Sequence, residues 1–426
     1  MAKLKEEDQM NNDRSVTRRQ FLEGTIATAA SLAVAGPALG AEDKPAPPAA
    51  QPAPADIKRK VRVGVIGGGG RGNLIGGFMK QHGGYEMHAV ADYFPDLADS
   101  LGENLGVDKS RRFSGLSSCR KLLDSGIEAL AIIDVPYFYP EQAKAAVEAG
   151  CHVYTAKPVA VDVPGCLTIE AAARQATEKK RVFLVDYQIP HDPANIEVAN
   201  RVRAGGVGRV AHILSFGCSG AWADPPKGPT IEDRLRGAVW LSDIALSGDN
   251  IVSHDVHIID GVTWITGKRA ASACGRSRIV RPEPHGDRVD ACGVVFEYDD
   301  GVLWTHVTHS LDNNTDTGSL QASILGLTAT AHFGYWTKAY VRGGDKHYSG
   351  EVSGQIYNEG AQRNVADFYR NIVEGHFENP TAKRAVDGTL TAILGREAAA
   401  RGCYLTMEQL LRENKRLEVD LRGLKA

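Results

Sequence analysis

A charge excess of either sign is missing from this sequence. Its 49 Lys and Arg stand against 52 Asp and Glu, a formal net charge of −3, so nucleic acid and anionic membrane surfaces are not expected partners. C-x-x-C pairs are missing too. The seven cysteines (Cys119, Cys151, Cys166, Cys218, Cys274, Cys292 and Cys403) are scattered and odd in number. Neither a zinc ribbon nor a disulfide framework is written here, and buried small hydrophobes are the simplest reading. No stable membrane span is expected, because the apolar run TIATAASLAVAGPALGA is short and rich in Ala, Gly and Thr. What remains is the composition of a globular protein, 43% hydrophobic and 24% charged, in a 426-residue chain long enough for two domains.

Residues 1–41 read as a targeting segment. Arg18 and Arg19, followed by Gln20, Phe21, Leu22 and the weakly apolar run, resemble the twin-arginine signal of exported bacterial proteins. Small residues from Ala38 to Ala41 suit cleavage. The expectation is a periplasmic or exported protein whose first partner is the Tat machinery; an arginine pair that merely precedes a helix is the plainer alternative. Residues 42–57 open with EDKPAPPAAQPAPAD, which favours extended, solvated backbone and is read as a linker.

The next segment, 58–187, alternates strand and helix, which predicts an α/β fold with a doubly wound parallel sheet. Its first strand ends at Ile66 and runs into Gly67, Gly68, Gly69, Gly70, Arg71 and Gly72, with a helical pattern after them. G-x-G-x-x-G between strand and helix permits a tight turn and the approach of a pyrophosphate to the helix N-terminus. The second strand, YEMHAVAD, ends in Asp92, where a carboxylate suits the ribose hydroxyls of NAD and repels the extra phosphate of NADP. NAD is the expected cofactor. NADP stays open because Arg71 could hold a phosphate, and a glycine turn serving geometry alone is the rival reading. Further strands are expected at Arg111 to Phe113, Glu128 to Val135, Cys151 to Thr155 and Arg181 to Asp186.

Lys157 directly follows one of these strands in CHVYTAKPVAVD. Burial and a nearby positive nicotinamide would lower its pKa and let it act as a general acid or base; a solvated loop lysine is the alternative. In SHDVHIID, His254 and His257 could share a helix face and join Asp255 or Asp260 on a metal. No third, separate ligand cluster is visible, so no metal is expected. His257 as a neutral imidazole that takes a hydroxyl proton is preferred over a core histidine.

G-x-G-x-R-G after the first strand, a later strand ending in A-K-P, GDNIVSHDVHIIDGVTW and the closing KRAVDGTLTAILGREAAARG together resemble the Gfo/Idh/MocA oxidoreductases over roughly Val61 to Leu411. The resemblance implies a Rossmann domain, a substrate domain at 188–413 and homo-oligomers, dimers or tetramers. It gives Lys157 and His257 the proton-transfer roles, and the cofactor Gly67, Gly69, Gly70, Arg71, Gly72, Asp92, Pro136, Tyr137, Lys157 and Gln188. Three supporting positions and one turn depart from its pattern. Ala156 stands for the glutamate of E-K-P, Pro140 for a histidine and Ser253 for a carboxylate, while YQIPH keeps Gln188 and lacks the arginines that follow it. Less positive charge argues against an acidic substrate.

From Gly208 onward, segments such as RVAHILSF and ACGVVFEYDDGVLWTHVTH predict a large, mainly antiparallel sheet with a hairpin at Asp300 and Gly301. One free sheet face would serve a homo-oligomer. Trp222 and Trp240 could stack on a sugar or sit in a core. The helical patterns around residues 358–375 and 383–402 are expected to pack without chemistry, ahead of a tail at 414–426. The expected function is NAD(P)-dependent oxidation of a CH–OH group in a sugar, polyol or glycoside, with the cofactor tightly held because free NAD is scarce outside the cytoplasm. A redox-neutral NAD-dependent glycosidase and a noncatalytic sugar-binding protein are the alternatives.

Overall fold

The computed structural model describes residues 57–313 and 319–426. The twin-arginine segment, and all of the linker but Ile57, lie outside the described residues.

The first sheet contains β1 (Val61–Ile66), β2 (Tyr85–Asp92), β3 (Arg112–Ser114), β4 (Ala129–Ile132), β5 (His152–Ala156) and β6 (Phe183–Asp186). Their order is β3-β2-β1-β4-β5-β6, and every neighbouring pair is parallel. Strands β4, β5 and β6 are buried at every position, as a parallel sheet covered on both faces requires. Chain direction through the sheet reverses between β1 and β4, which opens a crevice beyond the carboxyl ends of those strands. Helix α1 (Gly70–His82) starts in the glycine loop and stops at Gly83, whose φ of 78° terminates it. Strand β4 is shorter than the expected span because a tight turn takes over at Pro136–Phe138, leading into α2 (Tyr139–Glu148). Pro140 is buried in the first turn of α2, where a missing N–H costs nothing.

The second sheet has nine strands: β7 (Val210–Ser219), β8 (Ser272–Arg278), β9 (Ala291–Glu297), β10 (Leu303–Ser310), β11 (Ser319–Gly326), β12 (Ala329–Gly334), β13 (Lys338–Gly343), β14 (Tyr348–Glu351) and β15 (Leu405–Thr406). Their order is β14-β13-β12-β11-β7-β10-β9-β8-β15. The hairpin at Asp300 and Gly301 joins β9 to β10, with Gly301 at φ 79°. All neighbours are antiparallel except β7 and β10, which run parallel at the centre. A parallel pair needs a long crossover. Here it is the segment after β7, which builds a loop and helix α3 (Val256–Thr266) before the chain returns through β8 and β9.

Helices α4 (Ile356–Glu374) and α5 (Pro380–Arg401) close the fold. Helix α5 touches β6 of the first sheet and β8 of the second. Its Arg396 is buried and donates to the carbonyls of Val161 (2.8 Å) and Gly248 (3.1 Å), one from each half. Residues 414–426 run back along the first domain. Leu417 N donates to Asp162 Oδ2 (2.9 Å), Leu116 N to Lys425 O (2.9 Å) and Lys425 N to Tyr93 Oη (3.1 Å).

Candidate functional site

A groove of about 500 Å³ lies beyond β1, β2 and β4. Its floor is Gly67, Gly69, Gly70, Arg71, Asp92, Ile133 and Asp134; its far wall, Leu235 to Leu241, belongs to the second domain. Gly67 sits at φ 105°, and a Cβ there would lie 2.4 Å from the Ile133 carbonyl oxygen. At Gly69 and Gly70 a Cβ would meet nothing within 4 Å, so the backbone faces open groove. Helix α1 has no side-chain cap and no acidic residue in its first turn, which leaves its N–H groups and positive end to a diphosphate. Asp92 is buried; its oxygens accept from Gly68 N (2.7 Å) and Phe94 N (2.8 Å). Burial raises its pKa against those two bonds. These features fit a dinucleotide.

The groove opens onto a second cavity of about 220 Å³, lined by Lys157, His254, His257, Ser253, Tyr139 and Tyr357 among others. Arg71, Asp134, Trp240 and Leu241 belong to both walls. Pro136, Ala156 and Trp222 also face this cavity. Lys157 Nζ donates to the Ser253 carbonyl (2.5 Å). Its pKa is lowered to about 7, first by burial and then by Arg71, against the pull of Asp186 and Asp255. Ser253 Oγ and Arg71 Nη1 are buried without a hydrogen-bond partner among the described residues.

His257 is the end of a buried chain whose donor and acceptor roles follow from chemistry. Asp186 Oδ1 can only accept, so Gln188 Nε2 donates to it (2.7 Å) and Gln188 Oε1 accepts from Tyr335 Oη (2.7 Å). That leaves the phenol oxygen to accept from His257 Nδ1 (3.0 Å). The Nε2 lone pair is then free to take a proton. Burial, followed by Lys157, His254 and Arg71, holds the His257 pKa well below the usual histidine value, so the ring is neutral.

Several expected residues stand elsewhere. Gly72 lines neither cavity; a Cβ there would lie 1.8 Å from the Gly67 carbonyl oxygen, so its smallness lets helix and loop touch. Tyr137 lines neither cavity and packs against the small cluster of Phe94, Val135, Ile231, Leu235, Leu246 and Val419. Gln188 is fully buried beneath His257. The guanidinium of Arg71 pairs with Asp186 and lies 4.4 Å from the centre of the Tyr357 ring, so it is turned from the ribose end of the groove. Asp260 bonds Arg384 (2.8 Å), away from the two histidines. Among the described residues no three His, Cys, Asp or Glu side chains converge on a metal, and no helix is long and apolar enough to cross a membrane.

Other contributors were not read from the sequence. Asp134 follows β4, the position where a parallel sheet presents ligands, and burial, then Asp92, raises its pKa to about 6. Tyr335 follows β12, and Tyr357 and Asn364 come from α4, which was expected only to pack. Asn364 Nδ2 donates to Asp186 Oδ1 (2.9 Å).

A parallel sheet with a glycine loop at its switch point, joined to a second domain that closes the crevice, defines a two-domain dinucleotide-binding protein. Residues 61–187 match the family model of the Gfo/Idh/MocA oxidoreductases, described as an oxidoreductase family with an NAD-binding Rossmann fold. The first domain is therefore similar to the NAD-binding Rossmann domain of that family. Among curated proteins, the chain is 27% identical over 233 residues to inositol 2-dehydrogenase 3 of Saccharopolyspora erythraea, which spans 54% of this chain and 60% of that one. It is 23% identical over 253 residues to scyllo-inositol 2-dehydrogenase (NAD(+)) of Bacillus subtilis, 58% of this chain and 66% of that one. The chain thus spans less than two thirds of the length of either relative. Levoglucosan dehydrogenase, solved in complex with NADH, superimposes with a TM-score of 0.67 at 18% identity, covering 82% of this chain and 99% of that one. It has the same fold.

Proposed function

We propose that this protein is an NAD-dependent oxidoreductase acting on a CH–OH group of a sugar, polyol or glycoside. The observation that carries the reading is the shared wall: the groove suited to a dinucleotide opens directly onto the cavity that holds Lys157 and His257. Bound NAD supplies the hydride acceptor. Gly67, Gly69 and Gly70 face its diphosphate, Asp92 the adenosine ribose, and Asp134 and Pro136 the part nearer the cavity. Asp92, with Arg71 committed to Asp186, favours NAD over NADP. His257 Nε2 accepts the hydroxyl proton, and Lys157, with a pKa of about 7, takes or returns a proton near neutrality. The unpartnered Ser253 Oγ and Arg71 Nη1 receive substrate oxygens, while Trp222 and Trp240 offer flat apolar surface to a ring.

The cofactor is retained. Arg236 crosses the groove to hold Asp96 with two bonds of 3.0 Å, and its guanidinium lies 4.1 Å from the centre of the Phe94 ring. Retention agrees with export by the Tat machinery to the periplasm, the address carried by the Arg18–Arg19 motif. Leu303 and Val307, exposed on one face of the second sheet, support a homo-oligomer through that face. The test is mass spectrometry of denatured, freshly purified protein. Recovery of NAD(H) near one per chain, together with NADH formation from an inositol or aldose that Lys157→Met and His257→Asn abolish, is expected. Absence of NAD(H), or turnover unchanged in both variants, would overturn the reading.

A further inference from the structure

The walls of the dinucleotide groove rest on a small apolar cluster apart from the main core. Ile231, Leu235 and Leu246, from the segment that forms the far wall, meet Phe94 from the loop after β2 and Val135 from the loop after β4. None of them belongs to the continuous core of the two sheets. Among the described residues, the buried apolar side chains between Trp222 and Gly248 are Ile231, Leu235 and Leu246, so this cluster is the apolar anchorage of the far wall. Phe94, Val135 and Leu235 also line the groove. One side of the layer therefore faces the dinucleotide site, and its other side must be closed by something else.

Residues 414–426 close it. Val419 is the buried member of this segment, and Leu421 and Leu424 pack against the same cluster. Both ends are tied to the first domain. Leu417 N donates to Asp162 Oδ2 (2.9 Å), while Asp162 Oδ1 caps the helix Val163–Glu178 by accepting from Gly165 N (2.8 Å). At the far end, Lys425 accepts from Leu116 N (2.9 Å) and donates to Tyr93 Oη (3.1 Å). A Cβ on Gly115 would lie 2.5 Å from the Ala426 backbone oxygen, so that loop is shaped to seat the segment. The pair of Lys425 and Glu232, 4.0 Å apart on exposed side chains, adds little. What joins the segment to the far wall is apolar burial.

We propose that residues 414–426 are a strap that positions the far wall over the dinucleotide groove and sets how fast the cofactor leaves. The proposal rests on the NAD-dependent reading above. The strap is fastened to the first domain at its ends and presses, through Val419, Leu421 and Leu424, on side chains of the second. Lifting the far wall takes Ile231 and Leu235 off Val419, so the wall opens readily only when the strap loosens. The strap lines neither cavity, and its effect on the cofactor is therefore indirect. Linkage makes that effect reciprocal: if the closed wall holds the dinucleotide, bound dinucleotide also holds the strap, without touching it.

The test uses the full chain with NADH as the probe. In hydrogen exchange followed by mass spectrometry, the peptide covering 414–426 should exchange about tenfold more slowly with NADH bound than without. In the double variant Val419→Asp, Leu424→Asp, NADH release in a displacement experiment followed by fluorescence should be about tenfold faster or more, the factor that exposing one buried aliphatic side chain corresponds to. Equal exchange of the peptide with and without NADH overturns the proposal. So does a double variant whose 414–426 peptide exchanges freely while NADH leaves at the wild-type rate. If the double variant fails to fold, the exchange measurement on the wild-type chain decides alone. A wild-type chain that binds no NADH would instead overturn the NAD-dependent reading.

Discussion

Replacing Lys157 by Met tests the electrostatics of the cavity without a substrate. Unfolded, the lysine has its ordinary pKa of 10.5; folded, burial and Arg71 lower it to about 7. Between those values the unfolded chain binds the proton and the folded one does not. Stability from this group is therefore fully present above pH 10.5, and it is lost as pH falls through about 7. The slope inside that window is about 1.4 kcal/mol per pH unit. Methionine also removes the bond to the Ser253 carbonyl, at a cost that does not vary with pH and so cancels when two pH values are compared. From about pH 7.5 to about pH 9.5, wild type should gain about 3 kcal/mol relative to Lys157→Met. Urea unfolding of both proteins at the two pH values gives the number directly. An unfolding free-energy difference that is the same at both would refute a buried, depressed lysine.

Other outcomes follow from the groove. Arg236→Ala should release NADH faster in a displacement experiment monitored by fluorescence, and an unchanged rate would mean that the contact with Asp96 and Phe94 holds nothing. Asp92→Ser should shift the ratio of NADP to NAD affinity by about tenfold toward NADP, measured by titration of both cofactors; an unchanged ratio would remove Asp92 from ribose recognition. Gly72→Ala places a Cβ 1.8 Å from the Gly67 oxygen and should cost about 1–3 kcal/mol of stability along with NADH binding. Gly77→Ala, on the same helix with open space around it, should cost neither, and equal behaviour of the two in thermal unfolding would contradict the packing argument.

What could be read from the sequence was local. The strand, glycine loop, helix and Asp92 follow one another within a single β-α-β unit, so the residues that meet in space are also close in the chain. Lys157 was visible for the same reason, as the residue next to a strand end. The supports of the two histidines were not visible. His257 leans on Tyr335 and Gln188, and Asp255 joins His254 to His306 and Ser215; these partners come from strands whose register only the finished sheet sets. His254 and His257, with Asp255 or Asp260, could be read as a metal set because spacing reveals which residues are near one another but not which atoms already have partners. Tyr357 was hidden in an amphipathic helix whose pattern registers burial alone. The parallel pairing of β7 and β10 escaped because strand alternation carries no information about direction.

Arg396 bears on how ligands enter. Its guanidinium is buried and binds a carbonyl from each half of the molecule, and one continuous core runs through both domains. Rotating the halves apart would leave that buried cation with Glu397 on its own helix but without at least one of the two carbonyls, at a cost of about 1–3 kcal/mol. The segment from Leu235 to Leu241 forms the cover and far wall of the groove, so a ligand entering the crevice passes along it while the shared core joins the halves. Mutations that tune ligand residence belong in that cover and in the strap behind it, and mutations in α5 should change how long the protein lasts rather than what it admits.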